Sequence, residues 1–252
     1  MAQTARPVQL KPQTIEAFDE YIRAAETGME HALQGSGPFL WSQVNSERAQ
    51  LVRGGQVVAQ FWEGQGPVKV PHGLIHDWIG AVFISATNLK KTLALIQDYN
   101  NHKNIYKPDV IASKLISRQG NDFRVFLRLL KKKILTVVLD TDHEVHYRPL
   151  HPTRWVCRSY TTRIAEVEYA GTPRESVLPP DTGNGFLWRL YSYWRLQEQK
   201  GGVYVECRAI SLTRDVPLGL GWIIEPIIQK LPKESLINTL EATRRGLHSE
   251  ES

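Results

Sequence analysis

The chain has 252 residues, 42% of them hydrophobic and 23% charged, so it can bury roughly 70–75% of its unfolded surface without disulfide or metal support. No apolar run reaches the ~18 residues of a membrane-spanning helix, and two cysteines, Cys157 and Cys207, exclude a disulfide framework. The net charge is +5, with a sequence pI of 9.2; fibrous, disordered and membrane-spanning classes are excluded.

In chain order, a helix is expected over 14–33, because Ile15, Phe18, Ile22, Ala25 and Met29 recur at three- and four-residue spacing. Thr14 is its expected N-cap and Gly35 its stop. Over about 49–62, Gly54-Gly55 lies between two apolar-rich arms and reads as a hairpin turn. The stretch Gly64 to Gly73 is rich in Gly and Pro and marks a boundary between an N-terminal extension, 1–70, and a domain over 71–247, followed by a tail at 248–252.

The domain opens with a strand-like run, 75–85, and a helix over 88–100. Strand-like runs follow at about 109–118, 122–133, 134–147, 153–168, 185–197 and 202–213, with turn signals between them. The segment 171–185 reads as a long binding loop or lid. The chain closes with a helix whose apolar stripe holds Ile224, Ile227, Ile228, Leu231, Leu236, Leu240 and Leu247, and which Pro226 and Pro232 should kink or divide near 232. Strands joined by short turns are antiparallel neighbours. The fold class is therefore α+β: a curved antiparallel sheet of about seven strands around a long C-terminal helix, with a helix-plus-hairpin extension. A helix gripped by a sheet leaves a space between them suited to a small molecule.

This order resembles the helix-grip fold of the START/polyketide-cyclase/lipid-transfer superfamily, also called SRPBCC. The residues GFLWRLYSYWRLQEQKGGVYVECRAISLTRDVPLGLGW (185–222) and LPKESLINTLEATRRGL (231–247) look like the last strands and grip helix of bacterial members. The resemblance spans about 71–247 and implies a START-like fold; the superfamily holds both carriers and enzymes, so function rests on the site.

Alternation places Trp188, Leu190, Ser192 and Trp194 on the helix-facing side of 185–197, with Val205 and Cys207 beside them. Tyr160, flanked by Arg158 and Arg163, is expected to orient a ligand; Ile224 and Ile228 come from the helix, and Leu218, Leu220 and Trp222 form a mouth. Glu206 and Arg208 point to solvent or to the extension. Cys157 and Cys207 fall on strands separated by a third and should be free thiols.

Residues 101–135 hold nine basic side chains against Asp109 and Asp122. That run reads chiefly as a solvated sheet face; beside an apolar mouth it suits transient contact with an anionic membrane, whereas no nucleic-acid motif accompanies it. In 139–151, His143 and His146 face opposite sides of a strand and cannot chelate together, and Asp140, Asp142, Glu144 and His146 share what reads as a solvated face. His72 and His76 read as structural. No hydrolase, zincin, Walker or dinucleotide motif is present, and no catalytic residue, metal or cofactor is assigned. The expected function is non-enzymatic binding or transport of a hydrophobic small molecule: a lipid, a quinone or a polyketide-like aromatic. The alternative is a cyclase- or hydratase-type enzyme using Asp140, His143, Tyr147 or Tyr160 as acid or base; a structural or protein-binding role is a third reading. The first twenty residues lack an apolar leader core, so a cytoplasmic location is expected, with export behind a removed leader as the alternative.

Overall fold

The computed structural model describes residues 8–64, 66–132, 136–215 and 221–249, with the backbone alone for 221–230. Helix α1 spans Pro12–Gln34 and starts two residues before the expected point, because Pro12 occupies its first turn with Lys11 as N-cap. Thr14 is therefore no cap. It is buried, and its hydroxyl donates to the Pro71 carbonyl at 2.7 Å.

The hairpin expected over 49–62 is corrected to a helix followed by a strand. Helix α2, Ser46–Arg53, is capped by the Asn45 side chain, which accepts from the Arg48 N–H, and Gly54 closes it by donating to the Gln50 carbonyl. A glycine pair ends a helix as readily as it turns a hairpin, and the Asn-Ser-Glu start decides for the helix.

After a two-residue strand β1, Val8–Gln9, the strands in chain order are β2, Val58–Phe61; β3, Val68–Val70; β4, Gly73–Ser85; β5, Val110–Gln119; β6, Asp122–Lys132; β7, Thr136–His151; β8, Arg154–Glu168; β9, Ser176–Val177; β10, Thr182–Gly183; β11, Arg189–Gln199; and β12, Gly202–Arg214. Ten of them form one antiparallel sheet, in the order β2-β4-β12-β11-β8-β7-β6-β5, with β3 also on β4 and β9 on β8. The seven long strands are those anticipated; the three more than expected are the short β2, β3 and β9. β1 and β10 pair separately. The segment between β4 and β5 carries helices α3, Leu89–Gln97, and α4, His102–Ile105, from one end of the sheet toward the other.

Strand β4 is buried almost throughout because it is covered on both sides. On the inner face, Val82 and Ile84 join Leu236, Leu240 and Leu247 of helix α5, Gly221–Ser249. On the outer face, Ala81 and Phe83 pack with Leu40 and Val52. Further along, Phe18 and Ile22 of α1 cover Ile75, Tyr193, Ile210 and Leu212. Helix α5 is not divided near 232. Pro226 is its sixth residue, Pro232 removes one backbone donor, and the buried leucine stripe holds the rest of the helix against the sheet. No helix among the described residues is long and apolar enough to cross a membrane.

Gly80 sets how closely α5 approaches. A Cβ there would lie 2.9 Å from Leu240 Cδ1 and 3.1 Å from Leu236 Cδ2. Gly80→Val should overpack this contact and lower stability by about 1–3 kcal/mol in urea unfolding; an unchanged midpoint would show that the helix is not held this tightly.

Candidate functional site

Between the concave face of the sheet, α5 and the α3–α4 segment lies a cavity of about 470 Å³. Its walls follow from strand alternation. Val125, Leu127 and Leu129 line it from β6; Leu139, His143, Val145 and Tyr147 from β7; Cys157 and Ser159 from β8. Strand β11 adds Leu190, Ser192 and Trp194, and β12 adds Cys207, Ala209 and Ser211. Leu236 and Thr239 close it from α5, with Tyr99 and His102 on the side formed by the α3–α4 segment. Lys107, Asp109 and Lys131 also border the space; Lys131 pairs with Asp109 at 2.6 Å, and Asn238 donates to the same carboxylate at 3.3 Å.

The polar groups of the wall bond chiefly to one another. Tyr147 donates to the Ile96 carbonyl at 3.4 Å and accepts from Tyr99 at 2.8 Å. His102 Nε2 reaches the same carbonyl at 3.1 Å. Burial pushes His102 and His143 down to about 4, with the neighbouring His102 adding to the effect on His143. Burial raises the phenols of Tyr99, Tyr147 and Tyr106 and the thiols of Cys157 and Cys207 above their ordinary values. At neutral pH these groups are all uncharged, because a low-dielectric wall disfavours the ionised form. Asp109 is the one carboxylate among the described lining residues. No group of three or more His, Cys, Asp or Glu that could hold a metal ion occurs among the described residues.

Solved structures share this architecture. A fragment of a STAR-related lipid transfer protein from Xanthomonas axonopodis matches with a TM-score of 0.50 at 17% identity, over 73% of this chain and 99% of that one. A Thermus thermophilus protein matches with a TM-score of 0.50 at 15% identity, over 69% and 98%. The fold is the START-like helix-grip fold. The Zhui aromatase/cyclase from a Streptomyces species is also similar, with a TM-score of 0.49 at 9% identity, over 71% of this chain and 96% of that one. The amino-acid sequence matches no family model and no curated protein.

Within the helix-grip frame, the expected wall residues divide. Leu190, Ser192, Trp194 and Cys207 border the cavity. Val205 is fully buried in the inner core but away from the cavity wall. Trp188 is corrected to the outer face: β11 begins only at Arg189, so the alternation does not extend back to it, and it packs with Phe18 and Ile22 under α1. Tyr160 is corrected likewise. Cys157 and Ser159 face inward on β8, so Tyr160 points outward, where its hydroxyl donates to Glu26 at 2.6 Å. Its neighbours Arg158 and Arg163 pair with Glu30 and Asp142 and orient nothing inside. The side chains of Trp222, Ile224 and Ile228 lie outside the described residues, as do Leu218 and Leu220.

Of the four acid–base candidates, the fold brings only His143 and Tyr147 to the cavity. Asp140 forms an ion pair with Arg128 at 2.6 Å, away from the cavity wall. Glu206 and Arg208 face the extension: Glu206 accepts from the Trp41 and Ser42 N–H groups at 2.9 and 2.8 Å. Sequence reasoning named His143 and Tyr147 as acid–base candidates but gave β7 no part in the apolar wall. The signal was present, since Asp140, Asp142, Glu144 and His146 alternate with Leu139, Thr141, His143, Val145 and Tyr147.

Two predictions arise here. Cys157 and Cys207 sit on either side of Trp194 in one row across β8, β11 and β12, and both are free and buried. The native protein should resist Ellman's reagent, and two thiols per chain should react after unfolding without reductant; fewer than two would contradict the free-thiol assignment. Three buried histidines, His76, His102 and His143, are held down to about 4 by burial, against an ordinary value of 6.5. Between those values the unfolded chain binds more protons than the folded one, so stability falls as pH drops from 6.5 toward 4. The melting temperature should decline from about pH 6.5 downward, above the range in which carboxylates titrate; a flat profile to pH 5 would contradict it.

Proposed function

We propose that the chain binds and carries a neutral, largely apolar small molecule in the helix-grip cavity. The observation that carries this reading is the cavity itself: about 470 Å³ of space walled by Val, Leu, Trp and Tyr side chains, with its buried ionisable groups neutral. That volume lies within the usual range of small-molecule sites. A ligand burying about 400 Å² of apolar surface gains roughly 10 kcal/mol before the cost of association. Subtracting about 4 kcal/mol, the low end of the cost of association, leaves an affinity of about tens of micromolar. The similar structure from Xanthomonas axonopodis is named a lipid transfer protein, which agrees with a fold able to enclose an apolar molecule.

A second reading, acid–base catalysis, draws on His143 and Tyr147 in the wall. The carrier reading is favoured because Tyr147 is committed to the Tyr99–Ile96 network and its phenol is raised well above its ordinary value, away from that of a neutral-pH base. Titration with the apolar fluorophore N-phenyl-1-naphthylamine tests the proposal. Saturable enhancement at one probe per chain is expected; no saturable binding would overturn it.

A further inference from the structure

The middle of the sheet wall holds a polar spot in apolar surroundings. His143, Ser159 and Ser192 stand on the adjacent strands β7, β8 and β11 and all face the cavity, with Ser192 directly opposite Ser159 in the register. Leu139, Val145, Cys157, Leu190 and Trp194 surround them. Their internal hydrogen bonds leave a defined set of unused capacities.

Thr141 Oγ1 donates its hydrogen to the Leu127 carbonyl at 2.9 Å. The same oxygen lies 2.9 Å from His143 Nε2, so the ring nitrogen must donate to it. A neutral imidazole carries one hydrogen, so His143 Nδ1 is an acceptor. The described hydroxyl near Nδ1 is Ser159, at a long 3.4 Å. On the next strand, Ser192 Oγ accepts from the Trp194 indole N–H at 3.1 Å, which leaves the serine hydrogen available to donate into the cavity. The spot thus offers one acceptor, His143 Nδ1, and one donor, the Ser192 hydroxyl. A hydroxyl group supplies the complementary donor and acceptor on a single oxygen.

We propose that the carried molecule bears a hydroxyl group, an alcohol or phenol on an apolar skeleton, which donates to His143 Nδ1 and accepts from Ser192. The inference rests on the carrier reading and narrows it. A bare hydrocarbon leaves the imidazole nitrogen without a full partner, at a cost that discriminates against it. A carboxylate brings a charge to a spot whose imidazole is neutral and whose own hydrogen bonds, to Thr141, Ser159 and Trp194, involve no cation. Of the cations lining the cavity, Lys131 pairs with Asp109, and Lys107 and Arg245 are exposed side chains.

The test is displacement of bound N-phenyl-1-naphthylamine by three compounds with one skeleton: naphthalene, 2-naphthol and 2-naphthoate. The wild-type chain should prefer 2-naphthol over both others by about tenfold or more. Ser192→Ala and His143→Phe should each reduce that preference to about threefold or less while still binding the probe. An equal response to all three compounds in the wild type, or a preference that survives in both variants, overturns the hydroxyl assignment and leaves the carrier reading standing. If neither the probe nor any of the three binds, both fail. Ser192→Ala removes one exposed-to-cavity hydroxyl and keeps the backbone pairing, so it serves if His143→Phe does not fold.

Discussion

Arg208→Ala is expected to destabilise the protein by about 3–5 kcal/mol, the cost of leaving one member of a buried ion pair without its partner. Arg208 on β12 and Asp77 on β4 are 7% and 5% exposed. The guanidinium donates through Nε at 2.9 Å and through Nη2 at 2.5 Å, and the Tyr21 hydroxyl of α1 donates to the same carboxylate at 2.8 Å. The Trp62 ring lies over the guanidinium, 3.9 Å from its centroid to the charge centre. Loss of Arg208 therefore strands the Asp77 carboxylate between the sheet and α1 and removes the cation from the indole face. Urea unfolding should show the loss, and the melting temperature should fall by roughly 6–20 °C. The paired replacement Asp77→Leu with Arg208→Met should recover much of it, because no unpaired charge remains. A loss below about 1 kcal/mol for Arg208→Ala would mean that water reaches this pair.

Ala209→Trp should abolish ligand uptake without unfolding the chain. Ala209 lies on β12, opposite Ser192 on one side and Trp78 on the other, and its methyl group faces the cavity. The backbone pairing is unchanged by substitution, and the added indole has open space to enter rather than packed neighbours to displace. Stability should stay within about 1 kcal/mol of wild type or rise. Affinity for N-phenyl-1-naphthylamine should fall tenfold or more, equivalent to at least about 1.4 kcal/mol of binding free energy. Unchanged affinity in a folded Ala209→Trp protein would place the probe elsewhere on the surface.

The long elements were legible because each satisfies a simple period. Phe18 and Ile22 mark the buried side of α1, and the seven long strands alternate or, like β4, run apolar throughout. The short elements were not. β2 and β3 are held by pairing with β4, and β9 by pairing with β8, so their signal lies in their partners rather than in four or fewer residues of their own. Gly54-Gly55 was ambiguous for the reason that glycine serves both helix ends and turns. The candidate site was half legible. Leu190, Ser192, Trp194 and Cys207 follow from alternation within a strand, whereas Trp188 lies just outside its strand and Tyr160 depends on which side of β8 faces the helix. Aromatics stand on both faces of β11, Tyr191 and Tyr193 under α1 and Trp194 at the cavity. Composition alone does not separate them, but alternation does, and it put Trp194 on the cavity side and Tyr191 and Tyr193 on the other. The polar spot at His143 needed the three-strand register, which no single segment contains.

The most direct measurement is native mass spectrometry of the protein as isolated from its own cells, followed by solvent extraction. The account predicts a single adduct on each chain that leaves into organic solvent as an uncharged, hydroxyl-bearing apolar compound, and that Ala209→Trp protein from the same cells lacks. An adduct-free chain that also takes up no N-phenyl-1-naphthylamine would contradict it.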